Sequence, residues 1–274
     1  MGWWPNPVRR GMGSKKRARL VKVFVCSFGA CVAMAQWGCA GGGAGSPGMG
    51  PGPGPGAVSW GRDALGHRPG PRGFRTVIID AGHGGVDSGA ISRTTGQKEK
   101  DLALDIALRL ERMLAGRFRV VQLRRDDRFI DLDQRVAMAD RYDGAIFLSL
   151  HYNHGPSHVA GPETYYWRVD SYSLARRIQA QMEGVAPRSG SQGLVRRRLR
   201  LTRNPSVPSV LVEFGYLSNP AEARRCADPA YRDRLAAAVA RAVIEQAAMG
   251  DAGMGQLPPP LTAPPSRPTD PPGT

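Results

Sequence analysis

"RTVIIDAGHGGVDSGA" (75–90) joins a β-prone run to a histidine set among glycines. Thr76 to Ile79 is a short continuous apolar run, the pattern of a strand covered on both faces. It leads into Asp80, a small-residue turn and His83. Outward from this stretch the periodicities alternate. Over 99–114 apolar residues recur at Leu102, Ile106, Leu110 and Met113 or Leu114, which predicts a helix with one buried stripe. "RVVQL" (119–123) reads as a second strand, 132–142 as a second helix, and "GAIFLSL" (144–150) as a third strand ending at His151. "ETYYW" (163–167) and "RRLRLTR" (197–203) are further strand candidates, 171–182 is a helix, and "SVLVEFG" (209–215) is another buried strand. Helical stretches at 219–226 and 228–247 follow. Strands alternating with helices predict an α/β fold: a twisted sheet of about six strands with helices on both faces, binding its ligands beyond the carboxyl ends of strands.

The flanks have a different character. Residues 1–59 hold seven Lys or Arg and no Asp or Glu, so +7 of the formal +15 belongs to this leader and +8 to the remainder. That remaining excess suggests an anionic partner. "SKKRARL" (14–20), the apolar "VKVFVCSFGACVAMA" (21–35) and the small-x-small Ala33-Met34-Ala35 read as an export signal over 1–39, too short for a spanning helix. Cys39, in "QWGCAGGGAG" (36–45), resembles a lipoprotein junction, but Gln36 stands where an aliphatic residue is usual. Lipidation of Cys39 with membrane anchoring and plain secretion are both open. Residues 40–73 read as a Gly/Pro-rich linker, 74–249 as the folded domain and 250–274 as a Pro-rich disordered tail. Cys26, Cys31 and Cys39 lie in the leader and Cys226 stands alone in the folded part, which excludes a disulfide framework and a cysteine zinc ribbon. A metal would have to be held by histidines and carboxylates.

Such residues occur where an α/β sheet places its site. His83 and His151 each follow a buried-looking strand. Glu99 lies three residues before Leu102 and seven before Ile106, on the apolar face of its helix's first turn. It could simply favour the helix N-terminus, but an inward charge needs a partner, and a divalent cation supplies one. Two imidazoles and a carboxylate with an open fourth position form the ligand set of catalytic zinc. Glu213 interrupts "SVLVEFG" where a buried strand should stay apolar. It pairs with a base or does acid/base work.

"VIIDAGHGGVDSGA" (77–90), "EKDLALDIALRL" (99–110), "LDQRVAMADRYDGAIFLSLHYN" (132–153) and "PSVLVEFGYLSN" (208–219) resemble, in order, the blocks of the zinc-dependent N-acetylmuramoyl-L-alanine amidases that cleave bacterial peptidoglycan. The resemblance implies a mixed, mostly parallel sheet, Zn²⁺ held by His83, Glu99 and His151, and Glu213 as the catalytic glutamate. The reaction it implies is hydrolysis of the amide between the lactyl group of N-acetylmuramic acid and L-alanine of the stem peptide, in the periplasm or cell envelope. Peptidoglycan is then the partner. Nothing resembles a nucleic-acid module, and no protein activator is legible. Asp80 and Asn153 are expected to orient ligands or substrate from behind. Tyr152 stands where the family usually has a small residue, which predicts a narrower site or an added stacking surface. The run "RRRLR" (196–200) reads as a solvated face or, beside a cleft, as a contact for stem-peptide carboxylates. Two other readings remain: a non-catalytic peptidoglycan-binding or scaffold protein, and a zinc peptidase acting on the stem.

Overall fold

A computed structural model describes residues 70–259 except Pro187. The export leader with Cys39, nearly all of the linker and the end of the proline-rich tail lie outside the described residues. The elements in chain order are β1 (Thr76–Ala81), α1 (Glu99–Leu114), β2 (Arg119–Gln122), α2 (Leu132–Ala139), β3 (Ala145–Asn153), β4 (Glu163–Tyr166), α3 (Val169–Glu183), β5 (Leu194–Arg196), α4 (Arg200–Arg203), β6 (Ser209–Tyr216), α5 (Pro220–Ala227) and α6 (Pro229–Met249). The strands form one six-stranded sheet in the order β2-β1-β3-β6-β4-β5. β2, β1, β3 and β6 run parallel; β4 is antiparallel to β6, and β5 runs parallel to β4. The expected mixed, mostly parallel α/β sheet is therefore present.

Side-chain alternation along the strands divides the core. Val77, Ile79, Leu148, Leu150, Val210 and Val212 face a large cluster closed by α1, α3 and α6. Ile78, Phe147 and Ala145 face a smaller one with Ala139, Leu201 and Val207. On α1 the stripe Leu102, Ile106, Leu110 and Leu114 is at most 3% exposed. Each such side chain contributes about 1.5–3 kcal/mol by burial. Helix starts follow sequence cues: Asn219 accepts from the backbone N–H groups of Ala221 and Glu222, and Asp228 from that of Ala230, each just before a proline.

Three expectations change. "RRLRLTR" (197–203) is not a strand: β5 lies just upstream at Leu194–Arg196, and Arg200–Arg203 is the short helix α4. Thr202 Oγ1 accepts from Leu199 N–H and donates towards the carbonyls of Arg197 and Leu199, so local hydrogen bonds win over a ladder. The second helix ends at Ala139 rather than near Tyr142. His151 lies inside β3, with a register shift between it and Asn153, rather than past the strand's end. Packing also continues beyond Met249: Met254 and Leu257 bury against Val169 and Tyr172.

The chain leaves β1 for β2 on one side and returns to β3 on the other. The carboxyl ends of β1 and β3 therefore flank a topological switch point, the crevice where open α/β sheets bind ligands.

Candidate functional site

His83 follows β1 by two residues and adopts φ 59°, the one non-glycine residue in the left-handed region among the described residues. That backbone is strained for a side chain, so its surroundings must hold it. Two buried arginines do so. Arg124 donates to the carbonyls of Ala81 (2.8 Å), Gly82 (2.7 Å) and Lys100 (2.8 Å). Arg135 donates to the carbonyls of Ala81 (2.9 Å) and His83 (2.7 Å) and pairs with Asp80. The turn also explains two of its glycines. A Cβ on Gly82 would lie 2.3 Å from Cε1 of His151, and one on Gly89 2.6 Å from Oε2 of Glu99. Backbone stands where a side chain would fill the space between His83, Glu99 and His151.

These three residues converge, with ligand atoms all within 4.8 Å of one another. Glu99 Oε1 lies 2.9 Å from His83 Nε2 and 2.9 Å from His151 Nδ1 and accepts from the Tyr152 N–H, while its Oε2 accepts from the Ala90 N–H. Burial opposes the Glu99 charge, but the His151 and His83 imidazoles outweigh it and hold the carboxyl well below its ordinary range. For His83, burial disfavours the cation, yet Glu99 and then Asp87 raise its pKa above the usual value. His151 Nε2 is buried without a hydrogen-bond partner. Two imidazoles, one carboxylate and an orphaned ring nitrogen suit a divalent ion such as Zn²⁺, whereas Ca²⁺ or Mg²⁺ would call for oxygen ligands throughout.

Glu213 pairs with His151 across β3 and β6, so both side chains stand on the same sheet face. Its Oε2 is buried and unpartnered. Burial, then the charges of Glu99 and Glu163, push its pKa well above the ordinary carboxyl value, and Arg197 opposes that rise. Glu163 is the next carboxylate along this row, opposite Glu213 on β4. It is satisfied by the hydroxyls of Tyr165 and Tyr216 (2.8 Å), the Gln192 N–H (2.8 Å) and Asn153 Nδ2 (3.2 Å).

The remaining sequence candidates lie one step back. Asp80 is fully buried and touches Arg135 and Ser149 Oγ, so it supports the backbone of the His83 turn rather than a ligand side chain. Asn153 bonds Glu163 and Tyr165 rather than any of the three converging residues. Tyr152 neither narrows the site nor offers it a stacking surface: it is 1% exposed and packs with Phe214 in the large core. Its neighbour His151 faces the site, and alternation sends Tyr152 to the opposite face. Sequence reasoning missed Asp87, whose Oδ2 lies 2.7 Å from His83 Nδ1. The signal was an acid four residues after the histidine in "HGGVD", within one tight turn. It also missed Glu163, and it missed Arg124 and Arg135, whose carbonyl partners at the His83 turn are distant in sequence.

Residues 77–245 match the family model described as N-acetylmuramoyl-L-alanine amidase. The chain is 32% identical over 174 residues to the uncharacterized protein YqiI of Bacillus subtilis (strain 168), covering 62% of this chain and 83% of that one. It is 34% identical over 170 residues to the probable cell wall amidase LytH of Staphylococcus aureus, covering 60% of this chain and only 56% of LytH. Among solved structures it resembles the catalytic domain of CwlV, an N-acetylmuramoyl-L-alanine amidase from Bacillus (Paenibacillus) polymyxa var. colistinus. That match has a TM-score of 0.60 at 34% identity and spans 63% of this chain and 97% of that domain. With a family model spanning most of the folded residues, and converging histidine and glutamate side chains at the sheet's switch point, this chain belongs to the N-acetylmuramoyl-L-alanine amidase family.

Proposed function

We propose that the protein is a zinc-dependent hydrolase of the amide between N-acetylmuramic acid and L-alanine in peptidoglycan. His83, Glu99 and His151 would hold the metal, and Glu213 would move the protons. The observation that carries this is Glu213, half-buried, with its Oε2 buried and unpartnered and its backbone in cross-strand register with His151. A protein that merely gripped wall polymer would gain nothing from it, because a buried unpaired carboxyl costs stability. A divalent ion bound here supplies Lewis acidity, polarising an amide carbonyl and acidifying water. Glu213 accepts a proton from the attacking water and delivers it to the departing amine nitrogen; its raised pKa suits both tasks. Asp87 sets the orientation of the His83 imidazole from the ring nitrogen that faces away from Glu99. The basic leader with its apolar run supports action outside the cytoplasm, in the cell envelope, with lipidation of Cys39 as one means of retention. The test is to incubate purified protein with a defined muropeptide, with and without chelator, and identify products by mass. Free stem peptide beginning with alanine, lost on chelation and restored by zinc, is expected; cleavage at another bond or unaffected by chelation would overturn the reading.

Asp87→Asn is expected to lower zinc affinity by about 10- to 100-fold, because the carboxylate fixes the ring orientation of His83. Competition against a chromogenic chelator measures this. Affinity within twofold of wild type would show that the backbone clamp alone positions the histidine.

Zinc binding should also strengthen with pH. His83 has a raised folded pKa, so its protonated form stabilises the metal-free fold below about pH 6.5, and that contribution is lost as pH rises through the folded pKa. Glu99 has a depressed one, so its contribution is present above about pH 4.3 and lost as pH falls through the folded value. The metal-free site is thus best satisfied between about pH 4.3 and 6.5, where zinc must displace the His83 proton. The gain in melting temperature on adding zinc is expected to grow from about pH 5.5 to pH 8. A constant gain over that range would contradict it.

A further inference from the structure

Most buried arginines of this protein are committed to its own carbonyls and carboxylates: Arg124, Arg135, Arg168, Arg177 and Arg232 all donate to internal partners. Arg197 differs. It is exposed, and it forms no ion pair with any described residue. Its backbone N–H donates to the Tyr166 carbonyl (2.8 Å), extending the β4–β5 ladder by one residue. Alternation then decides its direction. Arg196 pairs in register with Tyr166 and lies over that ring, while Val195 pairs with Tyr165, on the face that carries Glu163 and Glu213. Arg197 follows Val195 onto that face, with its guanidinium carbon 5.5 Å from the Tyr165 ring centroid. The Tyr165 hydroxyl is anchored on Glu163, so the ring is a fixed platform for the cation rather than a swinging side chain. The guanidinium is near enough to Glu213 to oppose the rise in its pKa, yet it is not bonded to that carboxylate.

We propose that Arg197, laid over Tyr165, binds a free carboxylate of the peptide substrate close to the scissile amide, and so makes the protein selective for acidic peptide stems. This rests on the hydrolytic reading above. Glu163 and Glu213 stand opposite each other on β4 and β6, Glu99 reaches His151 from α1, and these carboxylates would repel an anionic substrate. A planar guanidinium with uncommitted donors offsets that repulsion and matches carboxylate geometry through two parallel hydrogen bonds. Glu213 delivers its proton to the amine of the departing alanine, so an anchor beside it falls on the departing peptide. The nearest backbone carboxylate there belongs to the residue after that alanine, when it is linked onward through its side chain.

Two synthetic muropeptides that differ only in a free carboxylate or a carboxamide at that residue provide the test. Wild-type protein should favour the carboxylate in kcat/KM. Arg197→Gln should shrink that preference by about tenfold or more, mainly through KM, and Arg197→Lys should keep part of it. Both substrates losing the same factor, or a wild type without preference, would overturn the assignment, with melting temperatures confirming that each variant is folded. The same pair titrated by calorimetry onto Glu213→Gln protein, with and without Arg197→Gln, separates recognition from turnover. If wild type cleaves neither substrate but Arg197 still sets the binding preference, the hydrolytic reading fails and the anion site stands. If wild type cleaves both and binds both equally, the hydrolytic reading stands and the anion site fails.

Discussion

Glu213→Gln is expected to keep its zinc and to lose about 10²- to 10⁴-fold in kcat, the usual contribution of a positioned proton-transfer group. The metal should stay because the converging ligand atoms belong to His83, Glu99 and His151. Turnover should fall because a carboxamide of the same shape cannot accept the proton of the attacking water. Stability separates this role from a structural one. In the metal-free protein the folded pKa of Glu213 lies above its unfolded value of about 4.3, so the group's favourable contribution exists below that pH and is lost as pH rises through the folded pKa. Near neutrality the unfolded carboxyl is ionised while the folded site resists that ionisation, so Glu213 is a burden there, and metal-free Glu213→Gln should melt at or above wild type at pH 7, with the gap closing towards pH 4. Zinc held by His83, Glu99 and His151 would narrow that gap by lowering the Glu213 pKa. Metal content, single-turnover rates and melting curves suffice. A kcat within a few-fold of wild type, or loss of zinc, would remove Glu213 from the proton-transfer role.

The parts of the site that could be read in the sequence are those whose signal is local. Glu99 at the head of an apolar helical stripe and Glu213 inside an apolar run break a periodicity, and a buried charge is visible as that break. His83 among glycines was legible for a related reason: the turn brings backbone against His151 and Glu99 so closely that Gly82 and Gly89 have no room for a side chain. The support for these groups was not legible. Arg135 is 55 residues from Asp80, and no pattern along the chain links them. Tyr152 could have been placed correctly, since period-2 alternation beside an inward His151 sends it to the opposite core. The stretch 197–203 was misread because alternating Leu199 and Leu201 imitate a strand, while Thr202 bonds the neighbouring backbone and closes a turn.

The second large effect is expected at that hidden support. Arg135→Met should cost about 3–5 kcal/mol of stability, the range for removing one partner of a buried ion pair. Asp80 is 0% and Arg135 3% exposed at the side chain, and without the guanidinium Asp80 keeps only the Ser149 hydroxyl as a hydrogen-bond partner, with the Arg124 charge nearby but unbonded to it. Measured as melting temperature, the loss is roughly 6–20 °C for a domain of this size. The same substitution frees the His83 carbonyl, so zinc affinity should fall as well, although Arg135 touches none of the three converging side chains. Adding Asp80→Asn divides the two effects. It removes the uncompensated charge and should return a large part of the lost stability, but it cannot retie the His83 carbonyl, so zinc affinity should stay low. Recovery of both together would mean that the turn follows global stability alone. A double variant no more stable than Arg135→Met would mean that the stranded Asp80 charge was not what the single substitution exposed. Recovered stability with weakened zinc binding is the outcome expected if Asp80 and Arg135 hold the strained backbone of His83 in place for the metal.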